Sequence, residues 1–199
     1  MMPSGNLYDS FIDFYLRESP QLIGDIDFIY NDEVLNIEQA KELINNHPDE
    51  IIDAFEYNNI KCPVYSYKKN DNNLFYALVH ESHPSILGVV KYRIHEGMMI
   101  TSGLWNAVLF KGLIFAFFTQ YLTSKHNIIV SDGVTTKHGM SFWNKFSSWA
   151  LDNRKEIGIF RIAENKLYPM DSVNELQKFF NSDIESNNYR VYVKNRKDI

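Results

Sequence analysis

From residue 61 onward the chain changes its hydrophobic period, and this constrains the fold more than any other feature of its 199 residues. The segments "CPVYSYKK", "LFYALVHE", "ILGVVKYRI" and "MMITSGLWNAV" are rich in β-branched and aromatic residues, and "NDNN", "SHPS" and "HEG" separate them. They predict four strands in an antiparallel meander. The period then lengthens. "FKGLIFAFFTQYLTSKH" predicts an apolar helix, "NIIVSD" a short buried strand, "TTKHGMSFWNKFSSWALDN" an amphipathic helix and "EIGIFRI" a strand. A strand, a crossover helix and a short apolar strand predict one parallel pair inside an otherwise antiparallel sheet, because parallel neighbours need a long connection. The chain closes with a turn at "AENK", a helix "DSVNELQKFFN" opened by the Ser172 and Glu175 capping pattern, and a strand "YRVYV".

The first 60 residues predict helices. "NLYDSFIDFYLRES" carries Leu7, Phe11, Phe14 and Tyr15 on one face, "NIEQAKELINNH" has Asn36 as its cap, and "PDEIIDAFEYN" has Pro48 in its first turn. No repeat, low-complexity linker or composition break marks a second domain. The expected organisation is one α+β domain, with a helical segment over 1–60, a core over 61–165 and a C-terminal helix and strand over 166–199. Its sheet is mixed, mainly antiparallel and flanked by helices.

Composition narrows the partners. A net charge of −5 gives the whole molecule no electrostatic reason to seek nucleic acid or an anionic membrane. The basic concentration at Arg190, Lys194, Arg196 and Lys197 sits at a chain end, where charge is commonly solvated. Cys62 is the single cysteine, which excludes an intramolecular disulfide and reads as a small buried apolar residue. "MMPSGNLYDSF" lacks the basic start and apolar run of a signal peptide. "LWNAVLFKGLIFAFFTQYL" is interrupted by Asn106, Lys111, Thr119 and Gln120, so it reads as core rather than as a membrane span. A cytoplasmic location is expected.

The corner "SDG" after the short strand admits two readings. Asp132 as a base or Ser131 as a proton donor would stand at the carboxyl end of a strand, where open sheets place ligands. Equally, Asp132 caps a turn, Gly133 supplies a positive φ, and Thr135 or Thr136 caps the helix. His138, six residues after Asp132, could form an Asp–His pair with it or remain a solvated side chain. His80 and His83, with Glu81 between them, could present two imidazoles from one turn, but no further ligands to complete a site are visible nearby and no metal site is assigned. Phe142, Trp143, Phe146 and Trp149 describe one apolar helix face, expected in the core.

The order of elements, carried by "LFYALVHESHPSILGVVKYRI", "VLFKGLIFAFFTQYL" and "IIVSDGVTTKHGMSFWNKF", resembles the GNAT acyltransferase superfamily over roughly residues 61–165. The "SDG" corner followed by a Gly and Trp-Lys helix is similar to GNAT-like proteins encoded by bacteriophages. The resemblance implies acetyl-coenzyme A as acyl donor. Its pantetheine arm would lie along the strand backbone at Asn106, Ala107 and Val108, and its pyrophosphate at the helix-opening turn of Lys111, Gly112 and Leu113. That turn, "LFKGLI", keeps Gly112, with Leu109 where the family pattern has Arg or Gln and Ile114 where it has a second small residue. On the later helix Thr136 takes the family's Asn position, Gly139 its Ala position, and Phe142 keeps the Phe. Trp143 stands in place of the tyrosine that protonates the leaving thiolate. The turn holding His95 and Glu96 would border the acceptor, so either side chain, or Asp132, would serve as the base. The acceptor would be an amine on a protein or small molecule. The alternative is an inactive GNAT-like module that binds a protein, such as a phage factor acting on host machinery in the host cytoplasm.

Overall fold

The computed structural model describes residues 51–70, 73–81, 86–106, 110–131, 137–181 and 189–196. Among the described residues, nine strands form one mixed sheet in the order β1-β2-β3-β4-β5-β6-β9-β7-β8. The strands are β1 (Ile51–Tyr57), β2 (Ile60–Asn70), β3 (Asn73–Val79), β4 (Ile86–His95), β5 (Met98–Asn106), β6 (Ile128–Val130), β7 (Glu156–Arg161), β8 (Lys166–Met170) and β9 (Tyr189–Lys194). The described helical runs are α1 over 113–125, α2 (Lys137–Asp152) and α3 (Val173–Asn181), with a 3-10 turn at Ile162–Glu164. The chain divides into two compact units. One takes in the described parts of 1–68, 75–90 and 103–114, the other those of 69–74, 91–102 and 115–199.

In the first unit, the third helix expected over 48–58 is corrected. Its described part is strand β1, of which Phe55 alone is buried. Asn58 and Asn59, at φ 51° and 62°, form a two-residue link to β2, with Tyr57 opposite Ile60 and Phe55 opposite Cys62. Two successive positive φ angles suit the right-handed twist of a hairpin, and Asn tolerates them better than most residues. The turn chemistry and the cross-strand pairing therefore override the helix-like spacing of Ile51, Ile52 and Phe55. The two earlier expected helices lie outside the described residues. β3 is buried at every position from Phe75 to Val79, as suits a strand with neighbours on both edges and cover on both faces. Cys62 is fully buried, and burial together with the Glu81 carboxylate pushes its thiol up to about 11, so it behaves as a small apolar residue.

In the second unit, Glu96 and Gly97, at φ 48° and 77°, close the β4–β5 hairpin. β5 pairs in parallel with β6, Met99 opposite Ile129 and Ile100 opposite Val130, as the crossover through α1 predicts. The buried Thr101 hydroxyl adds a bond to the Val130 carbonyl at 3.2 Å. β9 inserts antiparallel between β6 and β7, and β8 pairs antiparallel with β7. The sequence predicts a turn at "AENK" and assigns no strand to 167–170, where β8 runs. Pro169 hides it in the sequence but is tolerated because β8 is an edge strand.

α1 is α-helical over Leu113–Ala116, widens to a π-helix over Phe117–Leu122, and tightens again over Thr123–Lys125. α2 buries Trp143, Phe146, Ser147 and Ala150. Phe118 of α1 meets Phe142, Trp143 and Phe146 of α2 edge to face, with centroids 5.0, 6.1 and 5.4 Å apart. Such pairs add about 0.5–1.5 kcal/mol each beyond area burial. The expected capping pattern is present at α3: Glu175 N donates to Ser172 Oγ at 3.3 Å, and the Glu175 carboxylate accepts from Asp171 N at 3.1 Å.

A second apolar cluster unites Met98, Ile100, Val130, Phe160 and Tyr192, with Ile128 and Leu167 against it. The strand registers put Glu96 near the start of β5 and Asn165 beyond the far end of β7, which in a flat sheet would separate them by roughly 30 Å. Yet Asn165 Nδ2 donates to Glu96 Oε2 at 2.6 Å. The β7–β8 hairpin therefore coils back across the face carrying this cluster. Gly158 permits the close packing: a Cβ there would lie 2.1 Å from the Tyr168 carbonyl oxygen and 2.7 Å from the Tyr192 ring.

Candidate functional site

In the first unit, the residues singled out from sequence lie at the turn that opens α1. Gly112 has φ 87°, a conformation that L side chains rarely adopt, and both Lys111 and Gly112 are exposed. The Tyr57 hydroxyl, at the end of β1, donates to the Lys111 carbonyl at 2.6 Å. A Cβ on Gly112 would stand 3.1 Å from that same hydroxyl. Leu113 is fully buried and Ile114 is 4% exposed, so the branched Ile114 side chain lies in the core, while Lys111 and Gly112 are exposed. Asn106 is the last residue of β5, its side chain being outside the described residues, as are Ala107, Val108 and Leu109 altogether.

In the second unit, Ser131 follows β6 and is fully buried. Its N–H donates to the Val191 carbonyl at 2.7 Å, and its Oγ accepts the Val191 N–H at 2.9 Å. The hydroxyl oxygen thus extends the β6–β9 ladder, a structural use the sequence did not suggest. Asp132 lies outside the described residues. His138 belongs to the first turn of α2, with its side chain outside them. Of the aromatic helix face, Trp143 and Phe146 are in the core as expected, whereas Phe142 and Trp149 are half-buried.

His95 and Glu96 are exposed at the β4–β5 tip. The Glu96–Asn165 bond is accompanied, on the β7–β8 hairpin, by a polar network. Arg161 and Tyr168 both donate to the Glu164 carboxylate, and Arg161 Nη2 donates to the Tyr189 hydroxyl at 2.7 Å with its guanidinium 5.2 Å from that ring. The Tyr189 bond first, and Glu164 after it, hold Arg161 more firmly charged than usual. The Tyr168 hydroxyl first, then Arg161, pull Glu164 below the usual carboxylate range, and Glu164 in turn raises Tyr168. Glu164 is committed to these partners, whereas Glu96 presents an exposed carboxylate with one oxygen accepting from Asn165. Of the residues named from sequence, the second unit places His95 and Glu96 on one tip and Ser131 in the ladder.

Two features had no sequence signal. Tyr57 reaches a turn 54 residues away, and Asn165 reaches Glu96 across 69. α2 and α3 also flank an open groove of about 490 Å³ bordered by Asn144, Lys145 and Gln177, where none of the residues singled out from sequence lies. Among the described residues no three His, Cys, Asp or Glu side chains cluster to hold a metal, and no helix is long and apolar enough to cross a membrane. Neither a protein-family model nor a curated protein matches the sequence of this chain.

Proposed function

We propose that the chain is a GNAT-like N-acyltransferase that takes an acetyl group from acetyl-coenzyme A to an amine. The observation that carries this is the parallel pairing of β5 with β6, made by the α1 crossover, in a sheet whose other registered pairs are antiparallel. The turn between β5 and α1 suits a pyrophosphate. Gly112 has a positive φ that bends the backbone into the helix start, the space a Cβ would take there is met by the Tyr57 hydroxyl, and the neighbouring Leu113 and Ile114 side chains are buried. Lys111 adds an exposed cation on the same turn. For the base, Glu96 is the leading candidate, with His95 beside it and Asp132 as the other carboxylate of the reading. The base takes a proton from the acceptor amine, whose nitrogen bonds to the acetyl carbon as the carbon–sulfur bond breaks, and coenzyme A leaves with that electron pair as a thiolate that takes its proton from water.

A second reading is an inactive GNAT-like module that binds a protein, such as a phage factor acting on host machinery. It is favoured by Trp143. The residue in the family's acid position is buried among Phe118, Phe142 and Phe146, and an indole N–H is a poor acid even when exposed.

Thermal melting with and without millimolar acetyl-coenzyme A separates the two. At 100 times its Kd a ligand that binds only the native state adds about 2.7 kcal/mol, or roughly 5–10 °C for a chain of this size. The acyltransferase predicts such a rise, abolished in Gly112→Trp. An unchanged melting temperature at millimolar ligand rejects it and turns the search to a protein partner.

A further inference from the structure

Resting on the acyl-coenzyme A reading, we infer that Tyr57 is a positioning residue for the phosphate-bearing part of the donor. It belongs to β1, outside the stretch that resembles the acyltransferase family, and the turn it holds lies 54 residues away. Its phenol donates to the Lys111 carbonyl at 2.6 Å. The peptide between Lys111 and Gly112 is planar and trans, so anchoring its carbonyl on one side directs the Gly112 N–H to the opposite side. The anchor therefore fixes the orientation of the donor group that a diphosphate oxygen would meet at the start of α1. Tyr57 meets the turn at the Lys111 carbonyl, on the side away from the Gly112 N–H. Its effect passes through the orientation of one peptide.

Two further observations fit this role. Gly112 and Tyr57 are matched in space, since a methyl group on residue 112 would come within 3.1 Å of the phenol oxygen. The Asn58–Asn59 turn follows Tyr57 directly, and its fixed hairpin register, with Tyr57 opposite Ile60, sets where the phenol lies on β1.

The experiment compares the binding of coenzyme A with that of pantetheine, which has the thiol arm but no diphosphate, to the wild-type protein and to Tyr57→Phe. Phenylalanine keeps the ring and removes the hydroxyl. The expected result is that Tyr57→Phe weakens coenzyme A about fivefold to tenfold, the scale of one hydrogen bond, and leaves pantetheine unchanged. Gly112→Ala, strained at φ 87° and crowding the phenol, should weaken coenzyme A alike. The double variant should be little worse than either single one, because both act on one peptide. If wild type binds coenzyme A and Tyr57→Phe binds it equally well, or loses both ligands in proportion, the inference is wrong while the acyltransferase reading stands. If wild type binds neither ligand, that reading falls and takes this inference with it.

Discussion

His126 shows how a single side chain couples this fold to pH. It follows α1, its ring meets Tyr92 edge to face at 5.9 Å, and Asn195 Nδ2 donates to its carbonyl and to that of Thr123. Asn195 in turn accepts from the Lys155 ammonium at 2.6 Å. Burial lowers the pKa of His126 below its ordinary 6.5, because the charged ring is poorly solvated there. The unfolded chain therefore binds the proton more readily than the folded one. Stability is complete above about pH 6.5 and falls as pH drops below it, until the folded ring also protonates. The melting temperature should decline between pH 7.5 and 5, and the decline should be shallower in His126→Gln. Superimposable profiles would assign the acid sensitivity to other groups. Nothing in the sequence distinguished this histidine from the other five, since its environment is assembled from β4, α1 and the residue after β9. Ser131 is a parallel case. Its position after a buried strand was legible, but its bond to Val191 depended on where the last strand would insert.

At the scale of elements, the sequence was informative where period and length agreed. The strands of the meander, α2 with its aromatic face, the capping box of α3 and the parallel β5–β6 pair all followed from patterning. β1 and β8 did not. β8 carries a proline, and β1 has apolar residues at positions 51, 52 and 55, close to a helical repeat. What decided β1 was a hydrogen-bonded partner and the Asn58–Asn59 turn, and a partner strand is not visible in local sequence. Ala54 tests the outcome, because it is exposed in the middle of β1 opposite Pro63. A β-branched residue is favoured on a strand and disfavoured in a helix. Ala54→Thr should raise the stability measured by urea unfolding by about 0.5 kcal/mol. A loss of similar size is what a helix over 48–58 would give, so the sign of the change discriminates the two. The π-helical turns of α1 had no sequence counterpart, as Phe117, Phe118, Tyr121 and Leu122 would be buried in either geometry.

For the molecule as a whole, charge is the property the sequence states most directly, and it bears on the one function class that a basic C-terminus would suggest. The net charge is −5. Phosphate binding driven by counterion release needs several cations acting together on one surface. Two of the three described cations of the C-terminal segment are already engaged: Arg190 donates to the Tyr189 carbonyl at 2.9 Å, and the Lys194 ammonium lies 3.5 Å from the Glu156 carboxylate. That carboxylate also accepts from the buried Tyr192 hydroxyl at 2.9 Å, and burial and this bond raise the phenol's pKa, which keeps it a donor. Arg196 is exposed, but one arginine gives a shallow salt slope. Mixed-sequence single- and double-stranded oligonucleotides at 50 mM salt should therefore bind more weakly than about 100 µM, the weak end of nonspecific binding. A micromolar affinity that falls by orders of magnitude between 50 and 200 mM salt would overturn this and show that the C-terminal cations act as a unit. Fold class cannot replace such a measurement, because one architecture hosts many activities and function resides in the site. The two exposed candidates, a glycine turn braced by Tyr57 in one unit and the Glu96 carboxylate at a hairpin tip in the other, are each argued without a basic surface.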